Sequence, residues 1–118
     1  MIHNTFTRKV IHIIRSIPKG NVLTYGRIAR LAGNPRAARQ VSWILHSSSK
    51  KYNLPWHRVI SSNGKISLKS SSARCIQKHL LKQENIKITD DFKVDLSKYL
   101  WKIYPINLDT LGEKGEPE

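Results

Sequence analysis

A chain of 118 residues has room for one domain around one modest hydrophobic core. Its formal net charge of +13 is unevenly spread: all eight acidic residues stand at or after Glu84, and the sixteen Lys and Arg before it have no carboxylate among them. Such a stretch repels itself unless a polyanion neutralises it, which points to nucleic acid; Val10-Ile11-His12-Ile13-Ile14, bracketed by Lys9 and Arg15, is too short for a membrane span or a signal peptide, and a lone Cys75 leaves no intramolecular disulfide.

The first element is an amphipathic helix: Phe6, Val10, Ile13, Ile14 and Ile17 recur at helical spacing until Pro18-Lys19-Gly20-Asn21 stops the run. Thr24 can cap a short second helix carrying Ile28, Ala29 and Leu31, with Gly33 placed to end it. Asn34 as N-cap and Pro35 at the first helical position predict a third helix from Pro35 to Ser47. The second and third together read as a helix-turn-helix. On the third helix Arg36, Arg39, Gln40 and Trp43 share one face without an acid, which suits a recognition helix and equally a solvated basic face.

Ser47-Ser48-Ser49-Lys50-Lys51 is predicted to be a polar loop, followed by a wing in which Val59-Ile60 pairs with Lys65-Ile66 across Ser61-Ser62-Asn63-Gly64. After a Ser70-Ser71-Ser72 break, Ile76, Leu80 and Leu81 mark a further helix ending near Glu84, with Cys75 expected to be a small buried hydrophobe on it. Residues 86–88 and 92–94 predict a short hairpin around Asp90-Asp91. The fold expected is one winged helix-turn-helix-like domain over residues 1–104, mainly α with small β elements; residues 105–118 form an acidic tail predicted to be disordered. The five His are scattered at 3, 12, 46, 57 and 79 without zinc spacing, and there is no Gly-rich phosphate loop, so neither a metal nor another cofactor is expected.

Pro55-Trp56-His57-Arg58-Val59 resembles the Pro-Cys-His-Arg-Val active-site motif of the O6-alkylguanine-DNA alkyltransferases, with Trp in place of the reactive Cys. Thr24-Tyr25-Gly26, the run from Ala32 to Arg39, and Tyr99-Leu100-Trp101-Lys102 stand in the same order and spacing as in that family. Trp at position 56 makes the chain similar to the alkyltransferase-like proteins, the non-enzymatic relatives. An indole N–H donates a hydrogen bond and cannot attack, whereas alkyl transfer needs a thiolate.

The resemblance implies a helix-turn-helix docked in the DNA minor groove, with no catalytic residue. Arg39 would fill the space left in the base stack. Tyr25 would press on the phosphate and rotate the damaged nucleotide outward, although without the resemblance it reads as a core aromatic. Pro35, Arg36, Ala37, Ala38, Ser42 and Ser62 would complete the DNA-binding set. The flipped O6-alkylguanine would enter a pocket of Trp56, Tyr25, Leu45, Val59, Lys69 and Ser70. His57 and Glu84 would remain as a structural hydrogen-bonded pair, having no thiol to activate. Ser42-Trp43 departs from the small or polar pair that relatives carry, and Ser48 stands where the enzymes have an Asn that organises the active-site turn. The function implied is recognition of O6-alkylguanine in double-stranded DNA, by a monomer, without alkyl transfer, and presentation of the lesion to nucleotide excision repair proteins. Its location would be cytoplasmic and nucleoid-associated in a bacterium, or nuclear in a eukaryote, with no membrane partner. Two other readings stay open: an active alkyltransferase, and a winged-helix regulator that reads sequence.

Overall fold

The computed structural model describes residues 5–103. The chain runs through α1 (Thr5–Ser16), β1 (Leu23–Thr24), α2 (Tyr25–Leu31), α3 (Ala38–Tyr52), a 3-10 turn (Trp56–Arg58), β2 (Val59–Ile60), α4 (Ser71–Gln83) and α5 (Leu96–Tyr99). This is the expected mainly helical architecture with small β elements. The predicted tail and the domain boundary at residue 104 lie outside the described residues.

Helix α1 buries Val10, Ile11, Ile13 and Ile14, as its periodicity requires. They pack with Ile28 and Ala29 of α2 and Val41, Ile44 and Leu45 of α3 into the main core. Thr24 serves two elements at once: it is the last residue of β1, and its hydroxyl accepts a 3.1 Å hydrogen bond from Arg27 N to cap α2. Gly33, at φ +102°, closes α2, with its own N–H on Arg30 O and that of Asn34 on Ala29 O. That left-handed closure is why glycine stands there.

Three expectations about the middle of the chain need correction. Asn34-Pro35 does not open α3: the Asn34 side chain accepts from Arg36 N and its carbonyl from Ala37 N, so the pair forms a separate turn and α3 starts at Ala38 with no side-chain cap. Asn followed by Pro suits the first two positions of such a turn as well as it suits a helix start. The stretch from Ser47 to Lys51 is helix, not loop. Val41, Ile44, Leu45 and Ser48 keep one face buried, and α3 ends only at Asn53, at φ 52°, where Leu54 N reaches Ser49 O at 2.8 Å.

The wing is also wired differently. Val59-Ile60 pairs in parallel with Leu23-Thr24, not with Lys65-Ile66. Lys65 instead faces Lys93, with Ile66 N on Phe92 O and Val94 N on Gly64 O, while Ile88 faces Val94 as expected of the last hairpin. Val22, Ile60, Ile66, Leu81, Ile86, Val94 and Tyr99 make a second core under these segments. The two-strand sheet thus joins the helix-turn-helix to the segment that carries Trp56.

Candidate nucleic-acid interface

Pro55 leads into the 3-10 turn, where Arg58 N bonds Pro55 O at 3.0 Å and the half-buried Trp56 meets His57 edge to face. Under the turn lies Glu84, whose side chain is only 7% exposed. Arg58 donates to it from Nε, at 3.0 and 3.1 Å to the two oxygens, and from Nη2 at 2.8 Å. His57 Nε2 is 2.7 Å from the same carboxylate, and Gly20 N donates at 2.9 Å. Burial alone would raise the Glu84 pKa; the hydrogen bonds from Arg58, His57 and Gly20 outweigh it and hold the value at about 2. Arg58 also donates from Nη1 to Ile17 O at 2.8 Å, fastening the motif to the end of α1.

The His57 and Glu84 pair expected from the sequence is therefore one edge of a larger cluster in which Arg58 holds the most bonds. Gln77 is a further anchor. It is buried on α4, and its Nε2 donates to His57 O and Val59 O, both at 3.0 Å. Arg74 Nη1 holds the following loop through Leu68 O at 2.6 Å and Lys69 O at 3.0 Å. Gln77 and Arg74 carry no signal in the sequence and Arg58 only its place in the Pro55-Trp56-His57-Arg58-Val59 motif, because their bonds span 5 to 41 positions of chain. The signal for what Arg58 does is that Glu84, the first acid in the chain, needs a cation if it is buried.

A cleft of about 490 Å³ opens beside Trp56, lined by Ser49, Lys50, Asn53, Leu54, Pro55, Trp56 and His57. Of the residues expected in the lesion pocket, Trp56 alone lines it. Leu45 and Val59 are buried in the core behind the turn. Tyr25, at the start of α2, is half-buried against the same core, and burial raises its phenol pKa. Lys69 and Ser70 are exposed, but the Ser70 hydroxyl is engaged as the cap of α4, accepting from Ala73 N at 3.2 Å.

The expected DNA-binding residues divide in the same way. Pro35, Arg36, Arg39, Ser42 and Ser62 are exposed and Ala38 is partly so, whereas Ala37 is buried and packs inward. Cys75 is exposed, contrary to expectation: α4 buries Gln77 and Leu81, one turn apart, and Cys75 falls well round the helix from both. Trp43 projects from α3 at 69% exposure. Ser48 faces the core. Among the described residues no group of three or more His, Cys, Asp or Glu is gathered in metal-binding fashion, and no helix is long and apolar enough to cross a membrane.

Residues 5–86 match the family model described as 6-O-methylguanine DNA methyltransferase, DNA binding domain. The chain is 40% identical over 98 residues to the DNA base-flipping protein of Escherichia coli (strain K12), covering 83% of this chain and 75% of that protein. It is also 40% identical over 102 residues to Alkyltransferase-like protein 1 of Schizosaccharomyces pombe, covering 82% of this chain and 94% of that one. The crystal structure of the yeast protein in complex with damaged DNA containing O6-carboxymethylguanine superposes with a TM-score of 0.77 at 38% identity, over 87% of this chain and all of that one.

Proposed function

Because the chain belongs to the alkyltransferase-like proteins of the 6-O-methylguanine DNA methyltransferase family, we propose that it binds O6-alkylguanine in duplex DNA, turns the damaged nucleotide out of the stack and holds it without transferring the alkyl group. The observation that carries this reading is Trp56, at the mouth of a cleft and seated on the Arg58, Glu84 and His57 cluster. An indole offers area and a π-face to an alkyl group and no electron pair for attack. Glu84 is fully engaged by Arg58, His57 and Gly20, so the cluster supports a turn and has no thiol to serve.

In this reading α3 lies in the minor groove with Arg39 replacing the extruded base, and Tyr25 turns the phosphate. Pro35, Arg36, Ala38, Ser42 and Ser62 hold the surrounding backbone, and the buried Ala37 sets how closely α3 approaches. The buried Leu45 and Val59 and the exposed Lys69 and Ser70 complete the set that receives the base beside Trp56. Unstacking one nucleotide costs on the order of a few kcal/mol, least for a damaged base, and this difference favours the lesion. The protein acts as a monomer where DNA is kept, in the cytoplasm of a bacterium or in a nucleus. Its persistent complex is handed to nucleotide excision repair.

The test is competition binding between a duplex with one O6-methylguanine and the same duplex with guanine, at physiological salt, alongside a methyl-transfer assay. A preference for the lesion with no transfer is the expected result. Transfer would restore the alkyltransferase reading, and equal affinity for both duplexes would leave a general or sequence-reading DNA-binding domain.

A further inference from the structure

A stripe on the outer side of α3 has a use beyond the single Arg39 contact. Arg39, Trp43, His46 and Lys50 follow at intervals of four, three and four residues, which places them within about 60° of one another along roughly 16 Å of helix. All four are exposed, Trp43 by 69%, while Val41, Ile44, Leu45 and Ser48 occupy the buried side. The helix has no acidic residue, and Lys50 borders the cleft that Trp56 lines. A single exposed apolar side chain is ordinary. One set between a guanidinium a turn earlier and an ammonium two turns later, on a surface with the charge to hold phosphates, matches a polyanion with apolar surface between its charges. A nucleic-acid strand has that pattern, with deoxyribose between successive phosphates.

We propose that Trp43 is a second DNA contact, its indole packing against the deoxyriboses of the strand whose phosphates Lys50 holds, next to the gap that Arg39 fills in the stack. The proposal deepens the function given above and rests on it for the docking of α3. The charged residues supply the salt-dependent part of binding and the indole a part that salt does not screen. The stripe leads from Arg39 towards the cleft, so the contact steadies the strand between the vacated stack and the pocket.

The full chain, native or carrying Trp43→Ala, Trp43→Phe or Lys50→Ala, is titrated into the O6-methylguanine duplex and its guanine counterpart over a range of salt. Trp43→Ala is expected to weaken both complexes roughly tenfold with an unchanged salt slope, and Trp43→Phe to recover most of the loss. Lys50→Ala is expected to lower the slope by about one. Trp43→Ala binding both duplexes as tightly as the native chain overturns the proposal, and so does self-association in sedimentation that disappears with Trp43→Ala, which gives the indole to a second copy. If the native chain shows no lesion preference yet Trp43→Ala still weakens both duplexes, damage sensing fails and the Trp43 contact stands.

Discussion

Arg58 grips Glu84 in a fork, with Nε 3.0 Å from one carboxylate oxygen and Nη2 2.8 Å from the other. The two residues are 26 positions apart, and their bond fixes the turn bearing Trp56 to the end of α4. Such bidentate, charge-assisted geometry is among the stronger polar contacts a protein makes.

This fork makes the fold sensitive to acid. The Glu84 pKa is lowered from 4.5 to about 2 in the folded chain, so its contribution is fully present above pH 4.5 and is lost as pH falls towards 2. That contribution is on the order of 3 kcal/mol. Thermal unfolding followed from pH 6 to pH 2 should show it, and Glu84→Gln should flatten the acid limb. Arg58→Ala, which leaves an enclosed carboxylate with one cationic partner fewer, should destabilise by roughly 3 kcal/mol at neutral pH. An acid limb identical in Glu84→Gln and the native chain would show that the fork is not the source.

Gln77→Leu keeps most of the side-chain volume but strips the carbonyls of His57 and Val59 of a buried donor. The expected loss is about 1–3 kcal/mol in urea unfolding. Hydrogen exchange should quicken around residues 56–60 more than in α1.

Gly64 sits at φ +83°, where a methyl group would run into the Val94 carbonyl that flanks it. Gly64→Ala should therefore open the 64–66 and 92–94 pairing at a cost of roughly 1–3 kcal/mol, with α1 to α3 retained by circular dichroism. Gly26, around which the same substitution meets nothing within 4 Å, is the matched control.

Arg39→Ala and Trp56→Ala should fail differently if one fills the stack and the other receives the lesion. Arg39→Ala is expected to weaken the O6-methylguanine complex by at least tenfold and to reduce the salt slope by about one. Trp56→Ala should leave the slope and the affinity for undamaged duplex nearly unchanged while lowering the lesion preference roughly tenfold. Matching losses on both duplexes in both variants would remove the division of roles.

Local signals are legible in the chain itself. The apolar spacing of α1, the Thr24 cap and the Gly33 stop each depend on a few neighbouring residues. Asn34-Pro35 misled because one dipeptide serves both a turn and a helix start, and the polar run from Ser47 to Lys51 hid a helix held by the buried Ser48. The parallel pairing of residues 23–24 with 59–60, the Arg58 fork and the Gln77 anchor depend on partners far along the chain, which no local pattern encodes. At the site, Trp56 and the His57 and Glu84 pair were legible from a motif. The cleft's other walls, at Ser49, Lys50 and Asn53, are obscured because the sequence signals end α3 at Ser47, a turn and a half before it stops.

The ladder joining Leu23-Thr24 to Val59-Ile60 has a mechanical consequence. Tyr25 follows one strand directly, and the Trp56 turn directly precedes the other. If Tyr25 turns the nucleotide and Trp56 receives it, both are mounted on the same ladder, and the duplex must supply the movement. A tool of that kind works as a gauge: across a series of adducts, its grip should rank them by how readily each base leaves the helix.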